Sequence, residues 1–341
     1  MNVRLTRRQA LRLGLAAGIV GCAGYLGATR DRLVFGGAVL RQGWLRVAGG
    51  STAVAVVRCP TYDQAEAAVR QAWDLIGGPE LAGKSVVLKA NLIDYVPDRP
   101  ANTAPAVLVA AIRYLKAHGA REIVVADGPA FKRDAEELLI DSGLAAALSA
   151  EDVRFVDLNY DDLVKVEVKG QYTRLSHLLL PRTVVEADVL ISVPKMKTHH
   201  WTWVSLSMKN LFGVVPGGKY GWPKNRLHFN GIEASIVQLY ETLGPQLALV
   251  DGVIGMEGDG PVCGQARPTG VVVMGADLVA VDATCARIMG FPPQEIAHLA
   301  LAERFGLGRL DEGRIDVRGE PLAAVRQSYA EPPVNLGRLS G

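Results

Sequence analysis

Short apolar runs alternate with amphipathic segments along most of the chain. Runs with the length and continuity of buried strands occupy residues 52–58, 85–89, 122–126, 153–158, 188–193, 246–250 and 270–274. Segments with apolar residues at helical spacing occupy residues 62–76, 103–119, 135–139, 207–211, 232–243, 278–289 and 294–304. Buried strands that alternate with helices are typical of a parallel sheet covered on both faces. The pattern therefore predicts a single α/β domain with a largely parallel or mixed sheet and helices on both faces.

The N-terminal segment has the pattern of an export signal. Arg7 and Arg8 stand shortly before an uncharged, largely apolar stretch at residues 13–28. A charged segment followed by a short apolar one is typical of a signal peptide, and paired arginines are the address of the twin-arginine translocase. An ordinary secretory signal that contains two arginines is the alternative. We therefore divide the chain into a twin-arginine signal peptide (1–28), a linker (29–51), the α/β domain (52–320) and a C-terminal tail (321–341).

Cys22 is a candidate for lipid modification. It follows Ile19, Val20 and Gly21, which is the order of residue types in a lipobox. A cysteine acylated there would attach the mature chain to the membrane through acyl chains rather than through a spanning helix. The alternative is that Cys22 is removed with the signal. We expect a periplasmic or otherwise extracytoplasmic lipoprotein that meets the twin-arginine translocase during export.

Composition excludes several classes of protein. The 341 residues are 49% hydrophobic and 21% charged, with a formal net charge of +2, so a large apolar core is expected and global disorder is not. The pattern lacks the clustered basic and aromatic residues of a nucleic-acid surface. Cys59, Cys263 and Cys285 are widely spaced, so an iron–sulfur cluster held by this chain is not expected.

Polar side chains interrupt the apolar pattern where the predicted strands end. Lysine, asparagine, aspartate or histidine follow four of these strands, and further polar residues open the helix at 207–211. Ligands bind beyond the carboxyl ends of the strands in a doubly wound sheet. We therefore expect these side chains to line one polar cleft. The candidate ligand-binding residues are Lys89, Asn91, Asp127, Lys195, Lys209, Asn210 and His228.

Two kinds of chemistry are represented in this predicted cleft. Lysine ammonium groups suit a carboxylate or phosphate, so the expected ligand is a small anion. Carboxylate oxygens and imidazole nitrogens suit a divalent metal. The candidate catalytic residues are Lys197, His199 and Glu257, and the candidate metal ligands are Asp251, Glu257 and Asp259.

Each of these residues also has a structural alternative. Lysines near carboxylates commonly form surface ion pairs, and single histidines are commonly hydrogen-bonded structural residues. The chain has no HExxH, DxDxDG, Walker or GxSxG spacing, so no metal, nucleotide or serine-hydrolase site is indicated by motif alone.

Longer motifs resemble a known family. The stretches 194–199 (PKMKTH), 209–217 (KNLFGVVPG) and 250–261 (VDGVIGMEGDGP) are similar to the hallmark segments of the domain of unknown function 362 family, and the resemblance covers roughly residues 55 to 310. Many members of that family carry an appended ferredoxin-like segment with clustered cysteines, which this sequence lacks. Ala90 stands where the family pattern has proline. The resemblance implies an α/β fold but no established activity.

The sequence leaves two classes of function open. The first is an exported protein that binds a small anion, with or without a divalent metal, in the polar cleft, and that could be an enzyme of unknown reaction. The second is a non-catalytic cofactor-binding or accessory protein of an exported redox system associated with iron–sulfur clusters. The residues alone do not decide between them.

Overall fold

The computed structural model describes residues 52–129, 133–222, 224–334 and 338. The predicted signal peptide with Arg7 and Arg8, the candidate lipobox at Cys22 and the predicted linker lie outside these residues. In the part of the chain that is described, no helix is long and apolar enough to cross a membrane.

The central element is a mixed β-sheet that runs through the domain in the order β12-β1-β11-β10-β7-β2-β3-β4. The strands are β1 (Thr52–Arg58), β2 (Ser85–Lys89), β3 (Glu122–Asp127), β4 (Arg154–Asp157), β5 (Leu163–Glu167), β6 (His177–Pro181), β7 (Val189–Ser192), β8 (Lys195–His199), β9 (Trp203–Ser205), β10 (Leu247–Glu257), β11 (Gln265–Gly275) and β12 (Ile315–Gly319). Strands β10, β7, β2, β3 and β4 are parallel, whereas β11 is antiparallel to both β10 and β1. The predicted mixed α/β sheet is therefore confirmed.

Helices cover both faces of this sheet. They are α1 (Ala65–Ile76), α2 (Pro105–Ala117), α3 (Ala135–Asp141), α4 (Leu144–Ala150), α5 (Arg182–Glu186), α6 (Ser207–Asn210), α7 (Gly217–Tyr220), α8 (Asn225–Phe229), α9 (Ile232–Leu243), α10 (Leu278–Met289), α11 (Ala297–Arg304) and α12 (Leu322–Val325). Because side chains alternate along a strand, Val54 and Val56 join a core with α9, α10 and α11, while Ala55 and Val57 join a second core with α1 and α2. The predicted helices on both faces are confirmed.

Several strands were not predicted from the sequence. β5 and β6 form a separate antiparallel hairpin, and β12 adds a parallel edge strand beside β1. The polar segment after Pro194, which follows the predicted strand at 188–193, is itself the buried strand β8, which pairs with β10 and β9. Lys195 and Lys197 of this strand are therefore buried, although the sequence around them is polar.

The strand β10 also differs from the prediction in length. The predicted strand stopped at residue 250, but β10 continues to Glu257 because its second half pairs with β11 and β8. Asp251 therefore lies within a strand rather than at a strand end, so its side chain is not placed at the edge of the sheet where the predicted cleft was expected.

Candidate functional site

A cavity of about 290 Å³ lies where β2, β3, β8 and α6 come together. β2, β3 and β7 are parallel, so their carboxyl ends meet at this edge of the sheet. Basic, apolar and polar side chains all line this cavity. Its basic residues are Lys197, His199, His200, Lys209, Lys224 and His228; its apolar residues are Leu92, Ile93, Trp201, Phe212 and Pro261; its polar residues include Asn91, Asp127, Ser205 and Asn210.

A buried network that includes part of the cavity wall connects β2, β3 and α6. The Lys89 Nζ lies 2.6 Å from Asp127 Oδ1 and donates hydrogen bonds to the Ala90 carbonyl (2.7 Å) and to Asn210 Oδ1 (3.3 Å). Asn210 Nδ2 donates to the Lys89 carbonyl and to Ser192 Oγ. Burial lowers the pKa of Lys89, and Asp127 opposes that shift. Lys89, Asp127 and Asn210 therefore use their polar groups on one another and hold α6 against the strand ends.

The three lysines that line the cavity have few partners. Lys197 Nζ donates to the Ala101 carbonyl (2.5 Å), and Lys224 Nζ donates to Asn159 Oδ1 (2.9 Å) and to the Gly128 carbonyl (3.4 Å). Lys209 Nζ lies 4.5 Å from the centre of the Phe212 ring and has no hydrogen-bond acceptor among the described residues. None of the three forms an ion pair with a described carboxylate.

Burial and mutual repulsion change the protonation of these lysines. The pKa of Lys197 falls well below its ordinary value because of burial and the neighbouring Lys195 and Lys209. Burial lowers the pKa of Lys209 to about 8, with Lys89 and Lys224 adding to the effect. Burial also lowers the pKa of Lys224 to about 8. The cavity is therefore an electropositive space in which charged lysine is disfavoured until an anion enters.

Three histidines present ring nitrogens on the cavity wall. His200 Nδ1 donates to the Gly260 carbonyl (2.9 Å) and His228 Nδ1 donates to the Lys224 carbonyl (3.1 Å), so in the neutral rings the Nε2 atoms are acceptors. The Trp201 backbone N–H donates to His199 Nδ1 (3.1 Å), so the Nε2 of His199 carries the proton. Burial, followed by Lys209, lowers the pKa of His199 well below its usual value. The wall therefore offers one imidazole donor and two imidazole acceptors.

Aromatic rings complete one side of the cavity. The Trp201 ring centre lies 4.5 Å from that of His228 and 5.2 Å from that of His200, and the Phe212 ring centre lies 5.5 Å from that of His228. Asn91, which also lines the cavity, has a buried Oδ1 with no hydrogen-bond partner among the described residues. An unpaired buried acceptor is costly unless a ligand or water donates to it.

Lys195 and Asp251 lie elsewhere, as a separate buried ion pair. Lys195 Nζ is 2.6 Å from Asp251 Oδ2 and donates to the Tyr62 hydroxyl (2.9 Å) and the Ile254 carbonyl (3.2 Å). Asp251 also accepts the backbone N–H of Ala104 (2.9 Å). Neither residue lines the cavity, because β10 continues past Asp251 instead of ending there.

Glu257 and Asp259 are also separate from the cavity. Glu257 Oε1 lies 3.6 Å from Arg267 Nη1, and Glu257 Oε2 accepts the Ala330 backbone N–H (3.0 Å). Asp259 is exposed. The expected grouping of Asp251, Glu257 and Asp259 as metal ligands is therefore not assembled, and the described residues contain no group of three or more His, Cys, Asp or Glu positioned to hold a metal ion. The residues that line the cavity suit an anion better than a cation.

The part of the chain that forms this cavity is similar to a known family. The chain matches the family described as Domain of unknown function (DUF362) over residues 86–287. This chain belongs to the DUF362 family. The resemblance read from the motifs is confirmed, and the matched region contains all the cavity residues named above.

A curated relative and two solved structures are also similar to this DUF362 chain. The Thylakoid-associated protein sll1697 of Synechocystis sp. is 29% identical over 266 residues, covering 74% of this chain and 79% of that protein. The lactate racemase apoprotein of Thermoanaerobacterium thermosaccharolyticum has a TM-score of 0.45 at 15% identity and covers 73% of this chain. A Thermotoga maritima protein has a TM-score of 0.36 at 13% identity and covers 65% of this chain. The matches span 58% and 57% of those two solved chains.

Sequence reasoning missed Lys224, Trp201 and Phe212 in this DUF362 site. Lys224 follows no strand: it lines the cavity from the position directly before α8, where its Nζ donates to Asn159 Oδ1 and to the Gly128 carbonyl. Its backbone has φ 71°, a left-handed conformation that is uncommon outside glycine and that occurs often at functional sites. Trp201 could have been found, because it directly follows the paired histidines His199 and His200.

Proposed function

We propose that this DUF362 protein binds a small organic anion in the cavity between β2, β3, β8 and α6, and that the cavity is an active site. The observation that carries the proposal is the charge of the lining. Lys197, Lys209 and Lys224 enter it without a carboxylate partner among the described residues, and Asp127, which also lines it, is bound to Lys89. Clustered buried ammonium groups are stabilised when an anion enters.

The form of the cavity supports an organic ligand rather than a bare inorganic ion. Its volume of about 290 Å³ is large enough for a small metabolite but small for a nucleotide. The rings of Trp201 and Phe212 offer apolar surface beside the lysines. A carboxylate or phosphate attached to a short carbon skeleton would use both parts of the wall.

A divalent metal enters this proposal only together with the anion. The cavity presents ammonium groups and imidazoles, and its lining carboxylate Asp127 is taken by Lys89. The acceptor nitrogens of His200 and His228 could then complete the coordination of a metal that is already bound to the ligand. Elemental analysis of the purified chain, with and without the anion, would distinguish a metal that accompanies the ligand from a chain that binds none.

Binding of a panel of small carboxylates and phosphates tests the central proposal. Lys197→Met removes one ammonium group while keeping the length of the side chain, so we expect the tightest anion of the panel to bind about 10-fold to 100-fold more weakly. Lys165→Met, on the exposed side of the β5 hairpin, is the matched control and should bind as wild type does. If no anion raises the melting temperature or gives a calorimetric signal with wild-type protein, the proposal fails.

Whether the anion is a substrate or a retained cofactor separates the two function classes. Native mass spectrometry of the chain purified from its own export route would reveal a ligand that stays bound. Retention of one stoichiometric organic molecule without turnover would favour the accessory cofactor-binding role, whereas exchange and chemical change of the anion would favour an enzyme.

We also infer that the chain works outside the cytoplasm, attached to a membrane. Arg7 and Arg8 support a twin-arginine signal, and Cys22 supports a lipid anchor. The relative from Synechocystis carries the name thylakoid-associated, which agrees with a membrane location. Incorporation of labelled fatty acid into wild type but not into Cys22→Ala would establish the anchor.

A further inference from the structure

We propose that Lys209 forms an imine with the carbonyl carbon of a 2-oxo acid bound in the cavity. This inference rests on the proposed anion site and deepens it, because it assigns the ligand class and the reacting atom. It starts from the contrast between Lys209 and the other lysines around the same cavity.

Two other lysines near the cavity, Lys89 and Lys224, already donate hydrogen bonds to protein acceptors. Lys89 has three, which are Asp127, Asn210 and the Ala90 carbonyl. Lys224 has the Asn159 side chain and the Gly128 carbonyl. An amine that must leave such partners before it reacts is a poor nucleophile.

Lys197 and Lys209 differ in exposure and contacts. Lys197 is fully buried and donates to the Ala101 carbonyl at 2.5 Å. Lys209 is half-buried, lines the cavity and packs its Nζ over the Phe212 ring at 4.5 Å, with no hydrogen-bond acceptor among the described residues. Lys209 is thus the lysine whose nitrogen is both accessible to a ligand and held in place by packing.

The surroundings of Lys209 keep its amine neutral in a fraction of the molecules. Burial lowers its pKa to about 8, helped by Lys89 and Lys224. At pH 7 about a tenth of such an amine is neutral, whereas an ordinary lysine is neutral in fewer than one molecule in about a thousand. Lysines placed beside other cations in apolar pockets are the ones that form imines with carbonyl substrates.

The neighbouring groups suit the two ends of a 2-oxo acid. Lys197 and Lys224 can hold the carboxylate, while the Nε2–H of His199 can donate to the carbonyl oxygen. Lys209 is near enough to His199 and His228 to lower the pKa of both rings, after the larger effect of burial. The Nε2 of His228 is an acceptor and can take a proton from the attacking nitrogen.

The step balances without a further reactant. The lone pair of neutral Lys209 Nζ forms a C–N bond to the carbonyl carbon, and the C–O bond then breaks. Both hydrogens of the amine finally reside on the departing oxygen, which leaves as water: the Nε2 of His228 takes each proton from the nitrogen and returns it to that oxygen, while the Nε2–H of His199 keeps its proton and only donates a hydrogen bond to the oxygen. The product is an imine, and no oxidant or reductant is consumed.

Reductive trapping tests this step on the full chain. Wild-type protein is incubated with pyruvate or glyoxylate and cyanoborohydride, and the adduct is located by peptide mass mapping. We expect the Lys209 peptide to be labelled at least about 10-fold faster than the peptide of the exposed Lys165, and Lys209→Arg to lose this fast labelling. Lys165→Arg is the matched control and should retain it.

The pH dependence gives a second measurement that needs no variant. Fast labelling should rise with pH around 8, where Lys209 loses its proton, rather than near the ordinary lysine value. A rate that rises only towards pH 10.5, equal labelling of Lys209 and Lys165, or fast labelling at Lys197 or Lys224 would each overturn the assignment.

A carbonyl-free analogue separates this inference from the proposed function. Lactate carries the carboxylate but cannot form an imine. If lactate binds in calorimetry and slows labelling of Lys209, both proposals are supported. If lactate binds but Lys209 is not preferentially labelled, the anion site stands and the imine is rejected. If no anion of the panel binds and Lys209 is not preferentially labelled, both proposals fall.

Discussion

At the scale of single residues, the partner decides what a buried lysine does. Lys195 and Lys197 lie on the same short strand, but Lys195 is paired with Asp251 at 2.6 Å and Lys197 faces the cavity. Removing one member of a buried pair leaves a charge uncompensated, which typically costs about 3–5 kcal/mol. Lys195 should therefore contribute to the stability of the fold, and Lys197 should contribute to ligand binding.

Lys195→Ala is expected to lower the free energy of unfolding by about 3–5 kcal/mol, measured in urea, because Asp251 is left buried and unpaired. The dissociation constant for the anion should change little in the fraction that folds. The double variant Lys195→Met with Asp251→Leu should recover much of the lost stability, since no buried charge remains. A single variant as stable as wild type would show that the pair contributes nothing.

The depressed lysine pKa values also predict how stability depends on pH. Lys209 and Lys224 titrate near 8 in the fold and near 10.5 when unfolded, so between these values the unfolded state binds more protons. The contribution of these two lysines to the free energy of unfolding should therefore rise from pH 8 to about 9.5, partly offset by Cys59, whose pKa is raised to about 11 by burial. Saturating anion should flatten part of this rise, because a carboxylate held by Lys224 restores the charge on that lysine. If the double variant Lys209→Gln with Lys224→Gln showed the same dependence of the free energy of unfolding on pH as wild type, this explanation would be contradicted.

At the scale of elements, the position of α6 depends on a carboxylate from another helix. Asp282 of α10 accepts the backbone N–H groups of Ser207 (2.8 Å) and Met208 (2.9 Å) and the Ser207 hydroxyl (2.5 Å). Burial raises the pKa of Asp282 to about 7. This cap fixes the short helix that carries Lys209 and Asn210.

Asp282→Ala should lower the free energy of unfolding by about 1–3 kcal/mol and also weaken anion binding several-fold, because α6 loses its cap and Lys209 its position. Asp277→Ala is the matched control, since Asp277 caps its own helix α10 by accepting the Ala280 N–H (3.0 Å). It should lose about 1 kcal/mol of stability and leave binding nearly unchanged. Calorimetry and urea unfolding of both variants measure the difference, and equal weakening of binding in the two would refute the positioning role.

The elements that the sequence predicted correctly are those with a local signal. Continuous apolar runs at β2, β3 and β7 and amphipathic spacing in α1, α9 and α10 identify themselves within a short window. β8 has no such signal, because Lys195 and Lys197 can be buried only through Asp251 and the Ala101 carbonyl, 56 and 96 residues away along the chain. The same holds for Lys224, whose approach to the cavity depends on Asn159 and Gly128.

At the scale of the whole molecule, the first strand of the domain is completed by the end of the chain. β1 pairs in parallel with β12 and antiparallel with β11, and Tyr329, beyond β12, is buried against the core. The cavity is equally non-local, since α6 is joined to β2 and to α10. The strands on both sides of β1 are therefore formed by residues that lie more than 200 positions further along the chain.

The twin-arginine route carries folded proteins, and this property defines the export prediction. Arg7→Lys together with Arg8→Lys should stop export, because the translocase reads guanidinium groups that lysine does not reproduce. The double variant should then accumulate in the cytoplasm, folded and able to bind the anion, because the changes lie outside residues 52–334. Fractionation followed by anion binding on the cytoplasmic pool measures both effects. Normal export of the double variant would mean that an ordinary secretory signal carries this chain across the membrane unfolded, and that β1 meets β11 and β12 only on the far side.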